Sequence, residues 1–191
     1  MSRKRAAIIH TGKKLFLGKG ISDVSMEQIA EAVPVSKMTL YNTFGNKEGL
    51  LDAVIDDVIA ESMALFDRAV REASDPLDAL NKLADSRFMN IEISEAFIKD
   101  LQSGYPQLMD KILETGMGQA MPRFEQLILE GQQKGQIRKD LSPIVVMSFL
   151  RFLKEYVSRT DALFQMGNIQ TVKEQLTTIF YHGILVDPPN K

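Results

Sequence analysis

The stretch VSKMTLYNTFGNKEGLL, residues 35–51, is the one on which the reading of the fold turns. Ser36 is of the type that caps helix N-termini, and Gly45 with Asn46 is a helix stop. Between them Leu40 and Phe44 stand four apart, so the spacing predicts a short helix with one apolar edge. Lys37, Met38, Tyr41 and Asn42 then share the opposite face, with Thr39 and Thr43 along one flank. Donors, an aromatic ring and an apolar tip on one face suit base edges in a major groove, and equally suit a solvated helix.

The flanking sequence extends the pattern. Ser25 caps a preceding helix, Gln28 three residues on completes a capping box, and the helix runs through Ile29 and Ala30 to Ala32, where Pro34 ends it. Two helices of this length separated by a three-residue turn make a helix-turn-helix candidate. Upstream, residues 4–17 place Ala7, Ile8, Thr11, Leu15 and Phe16 on one side, and LGKG at 17–20 stops that helix. Leu40 and Phe44 are expected to pack with Ile29, Ala30 and Val35 against Leu15 and Phe16. Downstream, residues 46–73 carry apolar or small residues at 51, 54, 55, 58, 62, 65, 66 and 69. They read as one amphipathic helix, roughly 40 Å long at about 1.5 Å per residue, ending before Asp75-Pro76.

The whole chain of 191 residues repeats at three and four and shows no hairpin signal, so the expected fold class is all-α. At 45% hydrophobic residues it can bury a substantial core. No run approaches the roughly 20 apolar residues of a membrane span and no signal-peptide cleavage pattern follows the N-terminus, so a cytoplasmic location is expected. The chain has no cysteine, which removes thiolate chemistry and cysteine metal sites. Its two histidines, His10 and His182, are too few for a histidine-rich zinc site. No metal, cofactor or catalytic residue is expected. Residues 1–50 hold eight Lys/Arg against four Asp/Glu, and the remainder 15 against 21. A basic N-terminal unit on an acidic body points to a polyanionic partner for the first.

The run GISDVSMEQIAEAVPVSKMTLYNTFGNKEGLLDAVI (20–55), preceded by KLFLGKG (14–20), resembles the DNA-binding domain of the TetR-type (tetracycline-repressor-like) transcriptional regulators. The matching positions are Phe16, Gly20, Ser25, Ile29-Ala30, Val35-Ser36, Thr39-Leu40-Tyr41, Phe44, Asn46-Lys47-Glu48 and Leu50-Leu51. The resemblance implies a helix-turn-helix domain over 1–46, joined by the long helix to a helical regulatory and dimerisation domain over 47–191. It implies that Lys37, Met38 and Tyr41 face bases and that Ser25, Thr39, Thr43 and Lys47 hold phosphates, Lys47 also standing at a helix N-terminus that favours an anion. Asn42 suits an adenine edge or, equally, an ordinary solvated surface, and Ser36 heads the same DNA-facing set. SRKR at 2–5 suits phosphates or a minor groove, and as readily a disordered basic end. Three positions depart from the family pattern. Pro34 stands where glycine is common, so the turn geometry differs or is borne by Val33; Thr43 replaces a frequent aromatic; Met38 replaces a small residue.

In the acidic body the Met and Phe residues suit either plain core or a permissive pocket. Phe88, Met89, Phe97, Tyr105, Met117, Met121, Phe124 and Phe152 are the candidate lining for a small-molecule effector. Glycines at 104, 116 and 118 and prolines at 106 and 122 are expected to break the helices around the mouth. Residues 142–157 and 169–186 read as two final helices with more apolar face than a monomer buries. Phe149, Tyr156, Leu176, Ile179, Phe180 and Gly183 are therefore assigned to a two-fold four-helix interface. The expected function is a dimeric repressor that binds a pseudo-palindromic double-stranded operator, associates with the bacterial nucleoid when bound, and is released by an apolar or amphipathic effector. The alternative is a structural or constitutive DNA-binding protein of the same fold. An all-helical enzyme has no Ser/His/Asp, cysteine or glycine-rich phosphate constellation to support it.

Overall fold

In the computed structural model the described residues are 3–84, 93–159 and 169–185, with the side chains of 154–159, 169, 170 and 173 outside the description. The chain divides into two compact units, Met1–Ser62 with Ile91–Glu114, and Met63–Asn90 with Thr115–Lys191. Phe88 and Met89 lie outside the described residues, as does the Tyr156 side chain.

In the first unit α1 (Arg3–Lys19) buries Ile8, Ile9, Gly12, Phe16 and Leu17. The buried stripe is displaced from the expected one: Ala7 is exposed and Ile9 and Leu17 are inside, because the core is approached over a wider arc than a single 3–4 spacing defines. The basic residues at 3–5 form the first turn of this helix. Gly20 ends it with φ +95°, a conformation costly to other residues, and its N–H reaches the Phe16 carbonyl at 2.9 Å.

Helix α2 (Met26–Ala32) starts on the expected capping box, the Gln28 N–H donating to the Ser25 hydroxyl oxygen while the Ser25 N–H donates to the Gln28 side chain. The turn at Pro34 needs no left-handed residue. Val33 is extended (φ −116°), and the Val35 N–H closes onto the Val33 carbonyl at 2.6 Å, a three-residue turn whose central φ proline already supplies. Ser36 caps α3 (Lys37–Phe44) by accepting from the Thr39 N–H, and Gly45 at φ +76° closes it.

Asn46 accepts from the Gly49 N–H and so caps α4 (Lys47–Arg71). A side chain at Gly49 would fall 2.2 Å from the Phe44 carbonyl oxygen, so glycine alone lets the α3–α4 corner close. Leu50, Leu51, Val54 and Ile55 are all fully buried, more than a stripe, because this half of α4 is covered from two sides. Lys13 of α1 pairs with Asp57 (2.6 Å) and Glu61 (2.8 Å). Lys111 of α7 (Pro106–Lys111) pairs with Asp52 (2.7 Å) and Asp56 (2.6 Å). Helix α6 (Glu95–Gly104), capped by Ser94, adds Phe97 and Leu101 to the same core.

The second unit gathers Phe66 from the end of α4 and Leu80 from α5 (Pro76–Ala84). It adds Leu127 and Ile128 from α8 (Met117–Gln133), Val146 from α9 (Pro143–Arg159) and Phe180 from α10 (Ile169–Ile184). Phe66 and Phe124 meet edge to face at 5.3 Å. Gly116, Gly118 and Pro122 do not break the helix as expected. The chain widens into a π turn at Ile112–Gly116 and continues as α8 straight through Pro122. Burial of Ala120, Leu127, Ile128 and Gly131 along one face outweighs the single hydrogen bond the proline forfeits.

Candidate nucleic-acid interface

Helix α3 is fixed from within. Leu40 is fully buried and Phe44 packs against the same core, together with Val35, Ile29 and Ala30. What that packing turns outward is Lys37, Met38, Tyr41, Asn42 and Thr43, all exposed; Met38 is 73% exposed, which no ordinary core-forming role explains for a methionine. This face offers an ammonium, a thioether tip, a phenol and an amide in two turns of helix, the complement needed for donors, acceptors and thymine methyls in a groove.

The hydroxyls on its flank have local partners. The Thr43 hydroxyl donates to the Thr39 carbonyl at 2.7 Å, and the Thr39 and Ser36 hydroxyls share a bond at 2.9 Å. Ser25 holds its cap on Gln28. Lys47 is partly buried at the head of α4; desolvation lowers its pKa below the ordinary lysine value, against the opposing pull of Asp100 and Asp23.

Two features of this region had no local signal in the sequence. Glu27 on α2 pairs across the turn with Lys37, Oε1 to Nζ 3.4 Å. The carboxyl of Glu27 is held below its usual range first by its own backbone N–H and then by Lys37. Asp100 on α6 binds the α1–α2 turn at Ser22, 78 positions away. Only the i, i+3 relation of a cap is visible in one segment; these pairs join separate segments.

The residues assigned to an effector site divide between the cores. Phe97, 3% exposed, and Tyr105 pack into the first core beside Leu101 and Leu108. A ligand reaching them would have to displace that packing. Met117 and Met121 are half-buried, and Phe152 is 65% exposed. Phe124 lines an open apolar groove of about 210 Å³ in the second unit, with Leu83, Leu150, Leu176, Phe180 and Tyr181 among its other walls. Leu176 and Phe180, assigned to a dimer interface, thus line this groove, Phe180 being buried in the second core. Phe149 and Ile179 are exposed, and the space around Gly183 is open. The Tyr181 hydroxyl donates to the Leu80 carbonyl, and burial pushes its pKa up.

Comparison with known proteins agrees with this geometry. The family described as "Bacterial regulatory proteins, tetR family" matches residues 8–54, the segment from the first buried turn of α1 into α4. The HTH-type transcriptional repressor DhaR of Mycobacterium sp. (strain GP1) is 25% identical over 150 residues, 76% of each chain. The HTH-type transcriptional repressor KstR2 of Rhodococcus jostii (strain RHA1) is 22% identical over 193 residues, covering 99% of this chain and 94% of its own. A TetR transcription regulator from Haloarcula marismortui superposes with a TM-score of 0.73 at 16% identity, over 97% of this chain and all of the other, which shows the shared fold. These relatives are named as regulators and not as enzymes, and residues 8–54 of the chain are similar to the domain that defines the TetR family of transcriptional regulators.

Proposed function

We infer that the protein is a dimeric, sequence-specific repressor that reads a pseudo-palindromic operator with α3 of each protomer and is released by an apolar or amphipathic small molecule. The observation that carries the DNA reading is the outward face of α3, where Lys37, Met38, Tyr41 and Asn42 remain exposed while Leu40 is buried and Phe44 packs, partly buried, against the core. Ser25 at the head of α2 and Lys47 at the head of α4 supply phosphate contacts, and Ser36, Thr39 and Thr43 do so once their hydroxyls turn from their local partners. Residues 1–46 are the reading domain and 47–191 the regulatory and dimerisation domain. Repression is favoured by the names of DhaR and KstR2. Two-fold assembly through α9 and α10 is favoured by Ile144, Val145, Phe149, Phe152 and Ile179, all exposed apolar residues on those helices. The working compartment is the bacterial cytoplasm.

The groove beside Phe124 suits a ligand that asks for little polar recognition, since Thr177 and Tyr181 are its polar walls and the Tyr181 hydroxyl is engaged. At about 210 Å³ it lies below the roughly 300 to 1,000 Å³ of a drug-sized site, so binding has to widen it. That small volume is also what favours the second reading, a constitutive DNA-binding regulator without an effector. Genomic fragments selected at moderate salt supply the operator and, through the neighbouring genes, candidate effectors. Each is then titrated with and without operator. Release by the effector requires that DNA weaken effector binding by the same factor; identical affinities in the two titrations leave the constitutive reading standing.

A further inference from the structure

The exposed face of α3 is bordered by one acidic side chain. Glu27 reaches Lys37 across the turn at 3.4 Å, and both side chains stay open to solvent, 44% and 59% exposed. An exposed pair of this kind adds little to folding, and any first-turn carboxylate would complement the dipole of α2 equally well. Beside DNA, however, a carboxylate is repelled by the phosphates and reduces counterion release. It is tolerable where a base edge offers it a donor, and in the major groove cytosine N4 is the partner suited to it, as guanine O6 and N7 are to an ammonium. Guanine O6 and cytosine N4 of one base pair are themselves a hydrogen bond apart, about 2.9 Å. That spacing is close to the separation of the Lys37 and Glu27 polar atoms.

We propose that Glu27 is a specificity-determining residue which, paired with Lys37, reads a single G·C base pair. Lys37 donates to guanine while Glu27 accepts from cytosine N4, holds the ammonium away from the phosphate backbone and repels base edges that present only acceptors. The inference rests on the assignment of α3 as the reading helix. It makes Glu27 a residue that weakens binding to random DNA and thereby sharpens the choice of operator.

The test is competition binding of the full-length protein to an operator recovered from a random library, to each of its single-base-pair variants and to random DNA. Wild type, Glu27→Gln and Glu27→Asp are compared, with thermal unfolding as the control for folding. The expected result is that Glu27→Gln binds random DNA about two- to tenfold more tightly. It should also lose at least about fivefold in discrimination at one G·C position, leaving the other positions unchanged. Glu27→Asp, which keeps the first-turn charge but not the reach, should keep the thermal midpoint and still lose the discrimination. A uniform change on all sequences, or unchanged discrimination in Glu27→Gln, overturns the inference alone. Absence of sequence-specific binding by the wild type overturns the reading of α3 and the inference with it.

Discussion

The carboxylate of Asp100 accepts two hydrogen bonds from Ser22, one from the backbone N–H at 2.7 Å and one from the hydroxyl at 2.9 Å. With the Ser94 N–H on the Leu17 carbonyl at 2.8 Å, it ties α6 and its cap to the last turns of α1 and to the α1–α2 turn that leads into α2 and α3. Hydrogen bonds to a charged group are worth about 1.5 to 3 kcal/mol, so Asp100→Ala should lower the unfolding free energy by an amount of that order. Urea unfolding of the two proteins at pH 7 measures it.

The same contact sets a pH dependence. Desolvation works to raise the Asp100 pKa, but the Ser22 backbone and hydroxyl donors and Lys47 outweigh it, and the carboxyl ends below its ordinary value. The folded protein therefore binds fewer protons than the unfolded chain near the unfolded pKa of about 3.9. The contribution is complete above that pH and is lost as pH falls through the lower, folded value. The stability gap between wild type and Asp100→Asn should accordingly narrow from pH 6 to pH 3. A gap that widens with acid contradicts the assignment.

Gly20 faces the same helix. Its φ of +95° is unfavourable for alanine, and a Cβ there would lie 2.9 Å from the Ala96 Cβ. Gly20→Ala should cost about 1 to 3 kcal/mol, and Ala96→Gly in the same chain should recover only the steric part, since the backbone strain remains. Thermal unfolding of the single and double variants separates the two contributions.

On α3 the inward and outward faces should respond oppositely. Leu40→Ala opens a fully buried site and should cost about 2 to 5 kcal/mol of stability. Lys37→Ala should leave the thermal midpoint nearly unchanged while costing about 1 to 3 kcal/mol on operator DNA and relaxing base preference. Lys47→Ala should weaken all sequences alike and reduce the salt slope. Equal losses on operator and random DNA for Lys37→Ala would remove it from the base-reading set.

Assembly is read by light scattering. Ile179 is 62% exposed on α10, and a Cβ at Gly183 on the same helix would meet no described atom within 4 Å. The wild type should be a dimer at micromolar concentration without DNA, and Gly183→Glu or Ile179→Glu should yield monomers or aggregates. A well-behaved wild-type monomer would refute the proposed interface.

Local physics made the first half of the site readable from residues alone. The capping box at Ser25 and Gln28, the Ser36 cap and the Gly45 stop are satisfied within three or four positions of sequence, so the residues that make them can be recognised without knowing what lies across the core. The four-residue spacing of Leu40 and Phe44 likewise fixes which side of α3 turns inward, and by exclusion which side chains turn out. Periodicity reports that a face is buried but not against what. Phe97 and Phe124 carry the same apolar signal, yet one joins Leu101 in the first core and the other meets Phe66 in the second. Phe180 and Ile179 are adjacent on a greasy helix, and only packing determined that the former is buried and the latter exposed. The pairs Ser22–Asp100 and Glu27–Lys37 join separate segments, and Gly49 is required by a carbonyl that approaches it from the preceding helix. The sequence determined α2, α3, their caps and the outward face of α3, because those follow from hydrogen bonds and spacing along the chain. Tertiary structure alone decided which core each apolar residue joined and which charges met, because those depend on which segments are brought together in space.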